Sequence, residues 1–189
     1  MSPWVVVNKT RPIAVPGYVP PDLVPVPVAG GGAMRAEAAG AVAAMFAAFS
    51  AETGLQLQAQ STYRSFETQI SVYAGWVSSL GQTAADLTSA RPGHSEHQLG
   101  LAIDVNSLPG SPCALEPCFG ATPHAQWILA NSWRFGLIVR YHEGQTLVTG
   151  YESEPYHLRY VGVLLATEMH EQGIPNLEDV FGLSPAPGY

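Results

Sequence analysis

Apolar residues recur three and four apart between Arg35 and Glu52, at Ala38, Val42, Met45, Phe46 and Phe49. That spacing predicts a helix with one buried face. Gly54 follows, suited to the left-handed residue that closes a helix. From Leu55 to Thr62 the period drops to two, with Leu55, Leu57 and Ala59 alternating with Gln56, Gln58 and Gln60, as in a half-buried strand. Ser65 reads as the N-cap of a second helix carrying Phe66, Ile70, Tyr73 and Val77 on one face. Gly81 to Pro92 reads as a loop with at most one short turn, and Gly100 to Val105 as a strand. Thr122-Pro123 pairs a cap with a proline at the first helical position, and that helix should reach Trp133 or Phe135 before Gly136 stops it. Short strands are expected at Leu137 to Arg140, Leu147 to Gly150 and His157 to Tyr160. A helix from Val161 to Glu171 ends at Gly173 and Pro175, and Asn176 caps one last short turn. This irregular mixture predicts an α+β fold: a small antiparallel sheet with helices packed mainly to one side.

Seven of the sixteen prolines fall in residues 1 to 33, followed by Gly30-Gly31-Gly32. Proline fixes φ and lacks a donor, so this stretch reads as an extended arm packed on the domain, with a flexible glycine hinge. Trp4 to Val7 would dock as an edge strand. Residues 34 to 189 then form one domain, without an internal repeat.

A hydrophobic fraction of 47% marks the chain as globular, and its net charge of −7 with a single lysine, Lys9, excludes the basic face of a nucleic-acid binder. No apolar run approaches the roughly 20 residues that cross a bilayer. Met1 to Asn8 lacks the pattern of an export signal, which leaves a cytoplasmic protein or a trimmed mature form. Cys113 and Cys118 are either a disulfide or a reduced pair; the disulfide, closing a small ring worth roughly 2 kcal/mol, favours the trimmed form, since it belongs in an oxidising, extracytoplasmic setting.

The chemistry concentrates in Ser95-Glu96-His97-Gln98-Leu99-Gly100-Leu101-Ala102-Ile103-Asp104. In the expected strand Leu101, Ile103 and Val105 face a core, while Gly100, Ala102 and Asp104 share the other face. Two tiny residues leave that face open beside one carboxylate, and His97 can swing toward the same space. An imidazole and a carboxylate around an open volume begin a zinc site. In Glu154-Pro155-Tyr156-His157, His157 would be a third ligand, leaving the fourth position to water, and Glu154 would serve as base. Each residue alone has a plainer role. His97 would be a hydrogen-bonded structural histidine, Asp104 a turn cap, His157 a core residue and Glu154 a solvated loop acid. Glu152 is the exposed decoy.

The run Ser-x-His-x-x-Gly-x-Ala-x-Asp followed by Glu-Pro-aromatic-His resembles the VanY-type D-alanyl-D-alanine carboxypeptidases, part of the lysostaphin/D-Ala-D-Ala/hedgehog group of zinc proteins. Ser61-Thr62-Tyr63-Arg64-Ser65, with Gln69 after it, is similar to a third motif of that family. The likeness runs from about Asn8 to Gly162. It implies a small antiparallel sheet whose open face holds Zn2+ through His97, Asp104 and His157. It further implies Glu154 as the proton shuttle, Arg64 at the scissile carbonyl oxygen, and a peptidoglycan stem peptide ending in D-Ala-D-Ala as substrate. Ser95 would bind substrate or brace the loop presenting His97, and Gln69 would bind substrate or lie on the surface. Tyr156 stands where the family commonly has tryptophan, keeping an aromatic wall for the substrate but adding a hydroxyl. His94 would be outside the ligand set, His124, His142 and His170 surface groups, and Trp127, Trp133 and Phe135 core. A monomer is expected. A wall-degrading endopeptidase of the same group and a zinc-bearing binding module without activity are the alternatives. The presence of both Glu154 and Arg64 counts against the module.

Overall fold

The computed structural model describes residues 1–189. Its centre is a four-stranded antiparallel sheet ordered β3-β4-β6-β5, formed by β3 (Gln56–Ser61), β4 (Ala102–Leu108), β6 (Glu154–Tyr160) and β5 (Leu137–Tyr141). A separate two-stranded ribbon pairs β1 (Leu23–Pro25) with β2 (Ala33–Arg35). The helices are α1 (Ala36–Thr53), α2 (Phe66–Leu80), α3 (Gln82–Thr88), α4 (Pro123–Asn131), α5 (Thr146–Thr149), α6 (Val163–Gln172) and α7 (Leu177–Val180).

The sheet is apolar on one face. Leu57, Ala59, Ile103, Val105, Leu137, Val139 and Leu158 join Val42, Met45, Phe46 and Phe49 of α1 and Ile128 of α4 in the main core. Burying each large side chain contributes roughly 1.5–3 kcal/mol. The expected period of α1 is therefore the pattern that holds this face. Gly54 closes the helix at φ 72°, returning its N–H to Ser50. A smaller cluster of Ile138, Val161, Ala166, Met169 and Leu177 seats α6 and α7 elsewhere on the sheet.

Three expectations change. Leu147 to Gly150 is not a strand, because Thr146–Thr149 forms the helical turn α5 and leaves Leu147 80% exposed. Gly81 to Pro92 contains all of α3. On α2, Ile70 is 49% exposed and Gln69 is the buried residue. That helix packs on α3 and the segment after it rather than on the apolar sheet: Tyr73 donates to Asp86 of α3 at 2.6 Å and Gln69 Nε2 donates to Ala90 O at 2.7 Å.

Ser65 does cap α2, its hydroxyl accepting from the Thr68 N–H at 3.2 Å. Ser65→Ala should cost about 1 kcal/mol, read as a lower denaturant midpoint with an unchanged slope.

In the N-terminal segment Val7, Ile13 and Val26 lie in the core, and Trp4 to Val7 adds no strand. Its carbonyls are taken by a side chain instead: Arg159 Nη2 donates to Pro3 O and Val5 O, both at 2.8 Å. Gly30 to Gly32 form a close-packed turn rather than a free hinge, since a Cβ at Gly30 would collide with the Ala59 carbonyl and one at Gly32 with the Thr62 hydroxyl.

Candidate metal centre

Asp104 on β4 and His157 on β6 are directly opposed across the ladder, so their side chains emerge on the same face. That face is the polar one, opposite the main core. Ala102, two residues before Asp104, faces Arg159. The short 3-10 turn Glu96–Leu99 delivers His97 above the same face, and Gly100 (φ 66°) turns the chain into β4. A Cβ at Gly100 would press on Leu23, so the glycine also lets the β1 ribbon approach.

The three predicted ligands meet. His97, Asp104 and His157 offer donor atoms that all lie within 4.8 Å of one another, and each residue is at most 6% exposed. His97 Nε2 is 3.2 Å from Asp104 Oδ2, and His157 Nδ1 is 2.9 Å from Asp104 Oδ1. Neighbours select which ring nitrogen points inward. The Thr62 carbonyl, 2.7 Å from His97 Nδ1, accepts its proton and leaves Nε2 free to ligate. His157 is held the opposite way. Its Nε2 faces Glu96 Oε2 at 3.5 Å, and neither atom makes a hydrogen bond to anything else. Its Nδ1 therefore points at Asp104. Two imidazole nitrogens and a carboxylate, convergent and braced from behind, fit Zn2+.

Glu154 and Arg64 open into the same cavity, of about 80 Å³, which Ser95 and Tyr156 also line. Glu154 Oε2 lies 3.6 Å from His157 Nδ1. Strand alternation puts residues three apart on opposite faces. A register shift in the β5–β6 ladder, between Val139 facing Leu158 and Tyr141 facing Glu154, re-aims Glu154 toward His157. The Arg64 backbone N–H donates to His97 O at 3.3 Å, while its buried Nε has no partner and its guanidinium makes no ion pair.

Burial pushes the Glu154 carboxyl up to about 8, with His157 and Arg64 pulling the other way. A divalent cation beside it would add to that pull and restore the carboxylate near neutral pH. Burial opposes the charge on His157, but Asp104 and Glu96 raise it to about 10. A metal ion at this place would compete with a proton for His157 Nδ1. Burial also opposes the charge on Asp104, yet the two histidines hold it below the usual carboxylate range.

Gln69 does not line the cavity. It is fully buried and anchors the Ser89–Ala90 segment, which does. His94 sits outside the ligand cluster, with Nδ1 2.8 Å from Asn8 O. Glu152 is exposed.

Sequence reasoning passed over the charged cluster beneath the site. Glu96, Arg140, Arg159 and Glu178 are all fully or almost fully enclosed. Glu96 Oε1 accepts from Arg140 at 3.0 Å and from Arg159 at 2.7 Å. Arg140 continues bidentately to Glu178 at 3.0 and 2.7 Å, and Asn8 donates to Glu178 at 2.9 Å. Burial would raise Glu96, but Arg159 and Arg140 hold it well below the ordinary range. The available signal was a charge inside an otherwise apolar strand, at Arg140 in Leu137–Tyr141. Trp76, Leu115, Tyr141 and Tyr151 also line the cavity and carry no motif.

A family model described as VanY: D-alanyl-D-alanine carboxypeptidase matches residues 31–163. YodJ of Bacillus subtilis (strain 168), provisionally named a carboxypeptidase, is 39% identical over 148 residues, covering 78% of this chain and 53% of YodJ. The chain thus spans about half the length of that curated relative. The structure of the LdcB LD-carboxypeptidase superposes with a TM-score of 0.83 at 35% identity, covering 94% of this chain and 85% of LdcB. A vancomycin-resistance D,D-pentapeptidase VanY mutant, solved with Zn(II), gives a TM-score of 0.78 at 30% identity, covering 94% of this chain and 98% of that one. VanYB in complex with D-Alanine-D-Alanine gives 0.79 at 30% identity, covering 95% and 97%.

Proposed function

The chain belongs to the VanY family of D-alanyl-D-alanine carboxypeptidases, and from that premise we propose that it is a zinc-dependent carboxypeptidase releasing the terminal D-alanine of peptidoglycan stem peptides that end in D-Ala-D-Ala. One observation carries this: the three convergent donors share a single cavity with a buried acid, Glu154, and an unpaired cation, Arg64. Held by His97, Asp104 and His157, Zn2+ would supply Lewis acidity and make a water molecule easier to deprotonate.

The chain's own groups do the rest. Glu154 accepts a proton from the attacking water and passes it to the leaving amine. Arg64 faces the carbonyl oxygen and stabilises the negative charge that gathers there as the tetrahedral centre forms. Ser95 and Tyr156 wall the space that receives the substrate. The burial of Glu154 keeps bulk water from it and strengthens its interactions with charge. The Cys113–Cys118 disulfide, with Cα atoms 5.5 Å apart, supports an extracytoplasmic site of action.

A second reading comes from LdcB, named as an LD-carboxypeptidase, and would have the enzyme trim tetrapeptides instead. Mass spectrometry of products from defined stem pentapeptide and tetrapeptide decides between them. The zinc-loaded protein should convert pentapeptide to tetrapeptide with release of D-alanine, stop after chelation and resume when zinc returns. Trimming of the tetrapeptide alone would establish the second reading. Turnover untouched by complete metal removal would overturn both.

A further inference from the structure

The His157 imidazole is walled by two rings. His97 meets it edge-on and Tyr141 lies tilted against it, each with centroids 5.0 Å away. These walls fix the plane of the ring but not its sense, because a half-turn about the Cβ–Cγ bond keeps the plane and exchanges Nδ1 with Cδ2. Polar partners decide between the two. Asp104 stands at Nδ1 and Glu96 at Nε2. Asp104 is itself one of the three ligand candidates, so holding the far side of the ring falls to Glu96.

Glu96 has no exposed side-chain surface and is clamped. Its Oε1 accepts from Arg140 Nε at 3.0 Å and from Arg159 Nη1 at 2.7 Å. Arg140 is tied in turn to Glu178, and Arg159 to Pro3 O and Val5 O. The other oxygen, Oε2, is sealed and has no hydrogen bond. It faces His157 Nε2, equally sealed and equally without one, at 3.5 Å. Two complementary atoms closed off from water in this way are each other's only outlet. A proton on Nε2 serves both, and it leaves the Nδ1 lone pair to a metal ion.

We infer that Glu96 is a positioning residue: by keeping the His157 proton on Nε2 it presents Nδ1 to the metal ion and so sets the affinity of the site. This rests on the zinc reading above and adds to it what fixes the second imidazole. The carboxylate matters here for its lack of a donor, not for its size. In Glu96→Gln the two arginines can only donate, so they keep the amide oxygen at the place of Oε1. The amide nitrogen then replaces Oε2 and turns a donor toward His157 Nε2. The imidazole has to accept there, and its proton moves to Nδ1, the atom that faces Asp104.

The test compares zinc dissociation constants of the unaltered protein, Glu96→Gln and Glu178→Gln, measured by competition with a chromophoric chelator. Glu96→Gln should bind zinc about 10- to 100-fold more weakly, the usual cost of removing the support of a ligating histidine. Glu178→Gln takes the same charge from the same cluster without touching His157, and should bind zinc as the unaltered protein does. Nitrogen NMR of the imidazoles gives a readout that a merely structural acid would not move. The His157 proton should sit on Nε2 in the unaltered zinc-loaded protein and on Nδ1 in metal-free Glu96→Gln. Unchanged affinity in Glu96→Gln, or an equal loss in both variants, would overturn the inference. Should Glu96→Gln fail to fold, the unaltered protein loaded with cadmium decides. Scalar coupling of the metal to Nδ1 of His157 supports the assignment, and coupling to Nε2 sinks it. Should no metal bind, the proposed function fails, while the imidazole spectrum of the metal-free protein still judges Glu96: a proton on Nε2 supports its role, and a bare Nε2 refutes it.

Discussion

Glu154→Gln should retain zinc with the stoichiometry of the unaltered protein and lose about a thousandfold in kcat, as expected when a positioned general base is removed. Glutamine keeps the volume and leaves His97, Asp104 and His157 in place, so the donors stay convergent. What disappears is the oxygen 3.6 Å from His157 Nδ1 that can carry a proton from water to the leaving amine. Zinc content by elemental analysis and D-alanine release by a coupled assay separate the two effects. Turnover within tenfold of normal would remove Glu154 from its role. Loss of zinc together with activity would show that it also acts as a ligand.

Glu178→Ala should lower the unfolding free energy by about 3–5 kcal/mol, the cost of leaving one partner of a buried ion pair alone. The bidentate contact with Arg140 would be lost, and Arg140 has no exposed surface through which water could replace it. Arg140 would then keep only Glu96, which it shares with Arg159. Guanidinium unfolding of the metal-free protein measures the loss directly. Glu178→Gln, which keeps the shape and part of the hydrogen bonding, should lose less. An unchanged midpoint in the alanine variant would mean that the cluster is neutral toward stability.

The site was more legible in the sequence than its foundations. His97, Asp104, His157, Arg64 and Glu154 stand in three short motifs whose residue types have few uses in common, and the period-two pattern around Asp104 marked an open face. Helix α1 followed from its apolar spacing and α4 from its Thr122-Pro123 cap, although α4 ends at Asn131 and a 3-10 turn, Ser132–Phe135, completes the span expected to Phe135. Ile70 misled because α2 meets α3 and the Ser89–Ala90 segment through polar side chains, Tyr73 and Gln69, so an apolar period did not mark its buried face. Glu178 could not be inferred at all. It lies in a four-residue helix, and its partners Asn8 and Arg140 come from remote parts of the chain. Gln69 read as either a substrate contact or a surface residue and is neither, since it is fully buried and its amide holds the segment behind the cavity wall. Adjacency along the chain does not tell a group that touches the ligand from one that holds the wall.

The link between Asn8 and Glu178 joins residues 170 positions apart. During synthesis Asn8 leaves the ribosome long before Glu178, so the nascent chain holds Arg140 without this second counter-charge until residue 178 has emerged. The polar floor beneath the ligand cluster is therefore complete only once α7 has docked. A chain ending before Glu178 would leave the enclosed Arg140 guanidinium with Glu96 alone, which Arg159 already shares.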